Sequence, residues 1–111
     1  MAEEQDFKDH VLGQLSALGD LTCRAMFGGH GLYWNEVIFA ILFRGRLYLK
    51  VDERSKADYM VKGMGPFRPN ERQTLTSYYE VPPEVLGDQE ALLSWAGEAI
   101  RAAQATTRPL R

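Results

Sequence analysis

The sequence MFGGHGLYW spans residues 26–34 and leads into VIFAILF at residues 37–43. The second segment is apolar at every position, whereas a strand with one solvated face alternates apolar and polar residues. It therefore predicts a central strand that is covered on both faces. The first segment contains three glycines, which favour neither a regular strand nor a helix, so we expect the chain to turn or bulge at this corner.

Asn35 and Glu36 separate these two segments at a spacing that suits a two-residue hairpin. The second position of such a turn has a positive φ and is usually glycine. Glu36 would be strained in that position, and this favours a loop of another type.

The segments on either side of the corner predict an α+β domain. Apolar residues at helical spacing predict helices, and alternating or β-branched residues predict strands. These patterns give an amphipathic helix at residues 6–18, extended structure at 21–27 that resumes at 32–34 after the corner, and a strand at 47–51. They then give a helix at 52–62, an extended segment after the connection at 63–67, a strand at 74–81 and a helix at 88–103.

The predicted order of the elements is α-β-β-β-α-β-β-α. Hairpin-length connections predict a mostly antiparallel, five-stranded sheet with the helices on one face, which is a two-layer sandwich. That arrangement leaves the second apolar face of residues 37–43 uncovered. A partner subunit is the simplest cover, so we expect a homodimer through this sheet face.

Length and composition predict a single domain of a cytoplasmic protein. The 111 residues give one domain at 7–103, between a flexible N-terminus at 1–6 and a flexible C-terminal tail at 104–111. A single cysteine suits a reducing compartment, and the acidic N-terminus differs from a secretory signal. No apolar run approaches the roughly 20 residues of a membrane span, so we expect no membrane association.

Residues that could support catalysis occur at spacings that indicate structural roles. Cys23, His10 and His30 form neither a metal-binding motif nor a nucleophile–base pattern. Asp52 and Glu53 begin a predicted helix, where they act as cap and dipole partners. The glycine corner precedes a strand and not a helix, so it lacks the geometry of a phosphate loop. We therefore expect no enzymatic activity, no metal and no cofactor.

The densest basic segment offers an alternative function. Arg44, Arg46 and Lys50 surround Tyr48, and aromatic residues among basic ones can form a stacking platform for single-stranded nucleic acid. Nearby acidic residues dilute this charge, and the net charge of −2 gives no overall basic footprint. Direct nucleic-acid binding is therefore the second hypothesis. A small-ligand binder or enzyme at the corner beside His30 is the third.

Four blocks and a late tryptophan, taken together, resemble the TfoX/Sxy N-terminal domain family. The blocks are residues 24–33, 47–52, 63–67 and 77–82, followed by Trp95, and they fall in the family's order. They span most of the predicted domain. The resemblance implies an α+β fold similar to that of type III secretion chaperones.

The resemblance also implies a role in regulation. Full-length members of the family regulate natural competence, act with the cyclic-AMP receptor protein at promoters and carry a second, C-terminal domain. The sequence ends at Arg111, so we expect a stand-alone N-terminal domain. The predicted function is a non-enzymatic module that contacts a protein partner, by resemblance the transcription machinery or the cyclic-AMP receptor protein, and assists transcription through it. The candidate residues for contact with a macromolecule are Arg24, Phe27, His30, Arg44, Arg46, Tyr48 and Lys50.

Overall fold

The computed structural model describes residues 2–26 and 28–107 and shows an α+β domain in two layers. In that part of the chain, the helices pack on one face of a single antiparallel sheet. The helices are α1 (Ala2–Leu15), α2 (Glu53–Val61), α3 (Pro83–Leu86) and α4 (Gln89–Thr107), and a 3₁₀ turn follows α1 at Ser16–Leu18. The strands are β1 (Leu21–Met26), β2 (Gly29–Trp34), β3 (Val37–Phe43), β4 (Arg46–Lys50), β5 (Pro66–Asn70) and β6 (Gln73–Glu80).

The sheet has six strands in the order β1-β2-β3-β4-β6-β5, so the predicted number of five is wrong. The predicted α+β class, antiparallel sheet and two-layer arrangement are confirmed. The additional strand arises at the glycine corner, where Gly28 adopts a φ of +82° and the chain reverses. β1 and β2 therefore pair with each other, with Cys23 opposite Leu32, and four strands instead of three precede α2.

The turn between β2 and β3 contains two left-handed residues. Asn35 has a φ of +48° and Glu36 a φ of +70°, which together make the two-residue hairpin turn that suits the spacing. The expectation of another loop type is therefore wrong. The Asn35 N–H donates a hydrogen bond to the Asp20 carbonyl (3.1 Å), and Trp34 pairs with Val37 at the end of the hairpin. These contacts offset the strain at Glu36.

The two terminal segments predicted to be flexible overlap helices of the structure. α1 begins at Ala2 and not at Asp6, and α4 continues to Thr107. Helix therefore covers part of the segments 1–6 and 104–111. Residues 1 and 108–111 lie outside the described part of the chain.

The main core lies between the sheet and the helices. α4 packs on β3 and β4, and its small residues Ala96, Ala99 and Ala103 are almost fully buried, which lets the helix approach the sheet closely. Val11 and Leu15 of α1 are fully buried in the same core. The apolar side chains that the sheet contributes are Leu32, Phe39, Leu42, Leu47 and Leu49.

A second, smaller cluster covers the opposite face of the sheet. It consists of Ile41, Tyr48, Phe67 and Tyr78, which are all buried. The ring centroid of Phe67 lies 4.6 Å from that of Tyr48 and 5.3 Å from that of Phe43. β5 is three strands away from β3, a separation of about 14 Å in a flat sheet, so the β5–β6 hairpin must fold over this face. Register shifts on both sides of Phe67 allow that bend.

The middle of the central strand is therefore covered on both faces, as predicted, whereas Val37, Ile38 and Phe43 are only partly buried. Residues 39–42 are all buried. At Ile41 the cover on the second face comes from the chain's own β5–β6 hairpin. The homodimer that was expected to supply this cover stays a prediction.

The N-cap of α2 makes the stability of the domain depend on pH in the acid range. The Asp52 carboxylate accepts a hydrogen bond from the Ser55 N–H (2.9 Å) and pairs with Arg101 of α4 (3.0 Å). These contacts, the Ser55 N–H foremost, lower the pKa of Asp52 to about 2. Because the unfolded chain takes up the proton at a higher pH than the folded one, the stabilisation is fully present above about pH 4 and is lost as the pH falls towards about 2.

We expect the substitution Asp52→Ala to lower the free energy of unfolding by about 1 kcal/mol at neutral pH. The difference from the wild type should shrink as the pH falls from about 4 to about 2, because alanine neither caps nor titrates. Urea denaturation across this range measures it. Asp58→Ala removes a carboxylate from the interior of the same helix and is the control. A difference for Asp52→Ala that stayed constant with pH would contradict the assignment.

Candidate interaction surface

The sheet face opposite the helices is only partly covered, and its uncovered part is the candidate interaction surface. One row of cross-strand neighbours runs over this face from β1 to β4. Its members are Arg24, Gly31, Ile41 and Tyr48. Phe67 covers the row at Tyr48, whereas Arg24 at the other end is exposed. We call the uncovered part the open face and define it by Arg24, Met26, Tyr33, Ile38 and Lys50, with the buried ring of Tyr78 beneath Lys50.

Two cation–π contacts position basic side chains over aromatic rings of the open face. The guanidinium carbon of Arg24 lies 4.8 Å from the centroid of the Tyr33 ring, and the Lys50 Nζ lies 5.3 Å from that of Tyr78. Each contact contributes about 0.5–1 kcal/mol at an exposed site. Burial raises the pKa of Tyr78 to about 12, and the charge of Tyr33 adds a smaller increase. Tyr78 is therefore a neutral phenol at neutral pH, and the two cations set the charge of the open face.

Gly31 lies beneath the apolar part of the open face. A Cβ atom at this position would lie 2.6 Å from the Met26 sulfur, 3.0 Å from Ile38 Cδ1 and 3.2 Å from Tyr33 Cε1. These three side chains therefore lie directly over the Gly31 backbone, and a methyl group at this position would require them to move. Side-chain packing, and not an unusual φ, accounts for this glycine of the corner.

The basic segment at residues 44–50 is divided among different environments. Tyr48 is only 8 % exposed beneath the folded-over hairpin, so its ring is not available for stacking. Arg46 donates a hydrogen bond to the Glu80 carboxylate (2.8 Å), and this ion pair neutralises its charge. Arg44 lies in the β3–β4 turn, away from the row that holds Tyr48. Of the basic residues in this segment, only Lys50 belongs to the open face.

His30 and Arg44 both line a cleft at the glycine corner. The cleft has a volume of about 150 Å³ and lies between the first turns of α1, the β1–β2 turn and the β3–β4 turn. Lys8 of α1 is the third basic side chain that lines it. We call this feature the corner cleft. Phe27, which was also a candidate contact residue, lies outside the described residues.

The contact residues predicted from the sequence did not include Met26, Tyr33, Ile38 and Tyr78 at the open face or Lys8 at the corner cleft. The position of Tyr33 next to Arg24 could have been predicted from the sequence. A tight hairpin at the corner pairs Arg24 with Gly31, which places Arg24 diagonally next to Tyr33 on the same face. Lys8 and Tyr78 gave no such signal, because their neighbours come from distant parts of the chain.

Cys23 and the two histidines were the candidates for nucleophile, base or metal ligand. Burial raises the pKa of the Cys23 thiol, and the Lys8 charge opposes this only in part, so the thiol is protonated at neutral pH. His10 is exposed on α1. Among the residues that the structure describes, no group of three or more His, Cys, Asp or Glu side chains is placed to hold a metal ion.

The structure defines the class of this protein as a two-layer α+β domain with all described helices on one sheet face and a basic–aromatic open face on the other. The family model of the TfoX N-terminal domain matches residues 13–103, and the chain therefore belongs to this family. The resemblance found in the sequence is confirmed. A comparison with curated proteins found no match. Over the described residues, no helix is both long enough and apolar enough to cross a membrane.

Proposed function

We propose that this protein is a non-enzymatic regulatory module that binds a protein partner through the open face and assists transcription through that partner. The family resemblance makes the transcription machinery the expected source of the partner, with the cyclic-AMP receptor protein as the first candidate. This role places the protein in the cytoplasm. The observation that carries the proposal is the open face, where apolar and aromatic side chains lie beside two cations held over rings.

The residue types of the open face are those that dominate protein interfaces. Tyrosine, methionine and arginine are enriched in interfaces, and tyrosine and arginine are frequent among the residues that contribute most binding energy. Arg24 and Tyr33 form such a pair, and Met26 and Ile38 extend it as partly buried apolar neighbours. The packing around Gly31 holds these side chains in place before a partner arrives, which lowers the entropic cost of binding.

Charge favours a partner that presents carboxylates. Arg24 and Lys50 make no ion pair with any residue in the described part of the chain. A second copy of the same face would bring like charges together, which is unfavourable, whereas acidic residues of another protein would complement them. An acidic protein surface therefore fits the open face better than a symmetric homodimer does.

The nucleic-acid alternative has less support from the geometry. A platform for single strands needs exposed rings among uncompensated cations. Tyr48 is covered, Arg46 is paired with Glu80, and the chain carries a net charge of −2. The protein partner is therefore the better-supported proposal.

We expect the substitutions Arg24→Glu and Tyr33→Ala each to weaken partner binding by about thirtyfold, the effect of losing a residue worth about 2 kcal/mol. A pull-down from the native cell identifies the stoichiometric partner. Calorimetry with that purified partner, or with the purified cyclic-AMP receptor protein, then gives the affinity. Arg54→Glu makes the same charge change on the exposed surface of α2 and should leave the affinity unchanged.

Wild-type affinity in both variants would remove the open face as the partner site. A solution mass that doubles with concentration, and no longer does so in Tyr33→Ala, would replace the partner by a second copy. A salt-sensitive shift of single-stranded DNA that Arg24→Glu abolishes would establish the nucleic-acid alternative instead.

A further inference from the structure

The corner cleft concentrates positive charge in a small, partly enclosed space. Lys8 approaches from α1, His30 from β2 and Arg44 from the β3–β4 turn. Among the described residues that line the cleft, none carries a carboxylate. A helix, a strand and a turn that are distant in sequence therefore place three basic residues around one cleft, with no carboxylate among the described lining residues.

Within residues 5–26 and 28–105, neither Lys8 nor Arg44 forms an ion pair. Lys8 is partly buried. A partly buried cation is usually paired, because removal from water disfavours an isolated charge. The group is therefore suited to an anion that arrives as a ligand.

The walls of the corner cleft define the size of that ligand. Glycines stand in both turns that border it, and a Cβ atom at Gly45 would meet no atom within 4 Å, so the entrance at this turn is open. A cavity of about 150 Å³ holds a molecule the size of benzene. Phe7 and Phe43 supply apolar surface beside the basic groups. The space therefore fits one anionic group and a small part of the molecule that carries it.

We propose that the corner cleft binds the phosphate group of a small phosphorylated ligand. Lysine and arginine both bind phosphate, the first as a point charge and the second through a planar fork of donors. His30 adds an N–H donor in either neutral tautomer. A carboxylate is satisfied by one arginine fork, whereas the two charges of Lys8 and Arg44, together with the N–H donor of His30, match the doubly charged terminal phosphate. This site is separate from the open face and does not depend on the proposed partner.

Titration with inorganic phosphate, followed by proton–nitrogen correlation NMR, tests the proposal on the intact chain. We expect the amide signals of Gly28, Gly29 and Gly45 to shift and to saturate below about 20 mM phosphate. Lys8→Gln and Arg44→Gln should each weaken binding by about tenfold, the effect of one charge-assisted hydrogen bond. Arg54→Gln makes the same charge change outside the cleft and should have no effect.

Two further titrations identify the class of ligand. Acetate should bind more weakly than phosphate, and equal or tighter acetate binding would overturn the choice of phosphate. A single-stranded DNA without a terminal phosphate should not shift the glycine signals; an equal shift would replace the small ligand by nucleic acid. No saturable shift at the cleft, or equal weakening by Arg54→Gln, would overturn the site itself. The open-face variant Arg24→Glu should keep wild-type phosphate binding, which separates this result from the outcome of the partner test.

Discussion

Replacing Phe67 with alanine is expected to lower the free energy of unfolding by about 3–5 kcal/mol. Phe67 is fully buried although it comes from an edge strand. Its ring packs on Tyr48 at 4.6 Å and meets Phe43 edge-on at 5.3 Å. Truncation removes this burial and leaves a cavity above Ile41, and a domain of ordinary stability, about 5–15 kcal/mol, would lose much of its margin.

Urea denaturation of the wild type, Phe67→Ala and Phe67→Leu measures this effect. Leucine keeps most of the apolar volume, so its cost should stay below about 1.5 kcal/mol. Phe67→Ala should also expose the apolar centre of the second sheet face and increase the binding of a hydrophobic dye. A loss below about 1 kcal/mol for Phe67→Ala would mean that the β5–β6 hairpin does not hold its position over the sheet.

The burial of residues 39–42 on both faces was predictable, but the element that covers the second face was not. An uninterrupted apolar run requires cover on both sides, and this follows from composition alone. Phe67, by contrast, stands between Pro66 and Pro69, and proline lowers the expectation of a regular strand. Its position over Ile41 depends on a bend that involves register shifts, which a single sequence does not specify.

The structure of the glycine corner was also only partly predictable from the sequence. The glycines predicted a turn or bulge, and the φ of +82° at Gly28 agrees. The full reversal into β1 and β2 follows from their hydrogen-bonded pairing, and it gave the sixth strand. The preference for glycine at the second turn position did not predict the turn at Glu36. Strand pairing on both sides of the turn imposes a positive φ on this residue, where glycine is usual.

The candidate sites were harder to predict than the fold because a side chain's face depends on register. A shift of one residue moves every side chain of a strand to the other face. Arg46, Tyr48 and Lys50 alternate with buried leucines and so share a face, as the sequence indicates. Which of them stays exposed is decided by Glu80 and by the covering hairpin, and both come from later in the chain.

The substitution Gly29→Ala is expected to lower the free energy of unfolding by about 3 kcal/mol. A Cβ atom at this position would lie 2.3 Å from the carbonyl oxygen of Leu42 and 3.1 Å from Cδ1 of Phe43. The first of these atoms belongs to the backbone of the neighbouring strand, so no side-chain rotation relieves the clash and β2 must move away from β3. Because Gly29 also lines the corner cleft, the same movement should weaken phosphate binding.

Gly13→Ala is the matched control for this change, since Gly13 lies in α1 and a Cβ atom there would meet no atom within 4 Å. In a helix the added methyl group should raise stability by about 0.5–1 kcal/mol, so the same chemical change is expected to act with opposite signs at the two positions. Thermal and urea denaturation of both variants measure the difference. Equal denaturation midpoints for Gly29→Ala and the wild type would contradict the close approach of β2 and β3 at the corner. A stability loss without a change in phosphate affinity would instead separate the role of Gly29 in strand pairing from the binding site at the cleft.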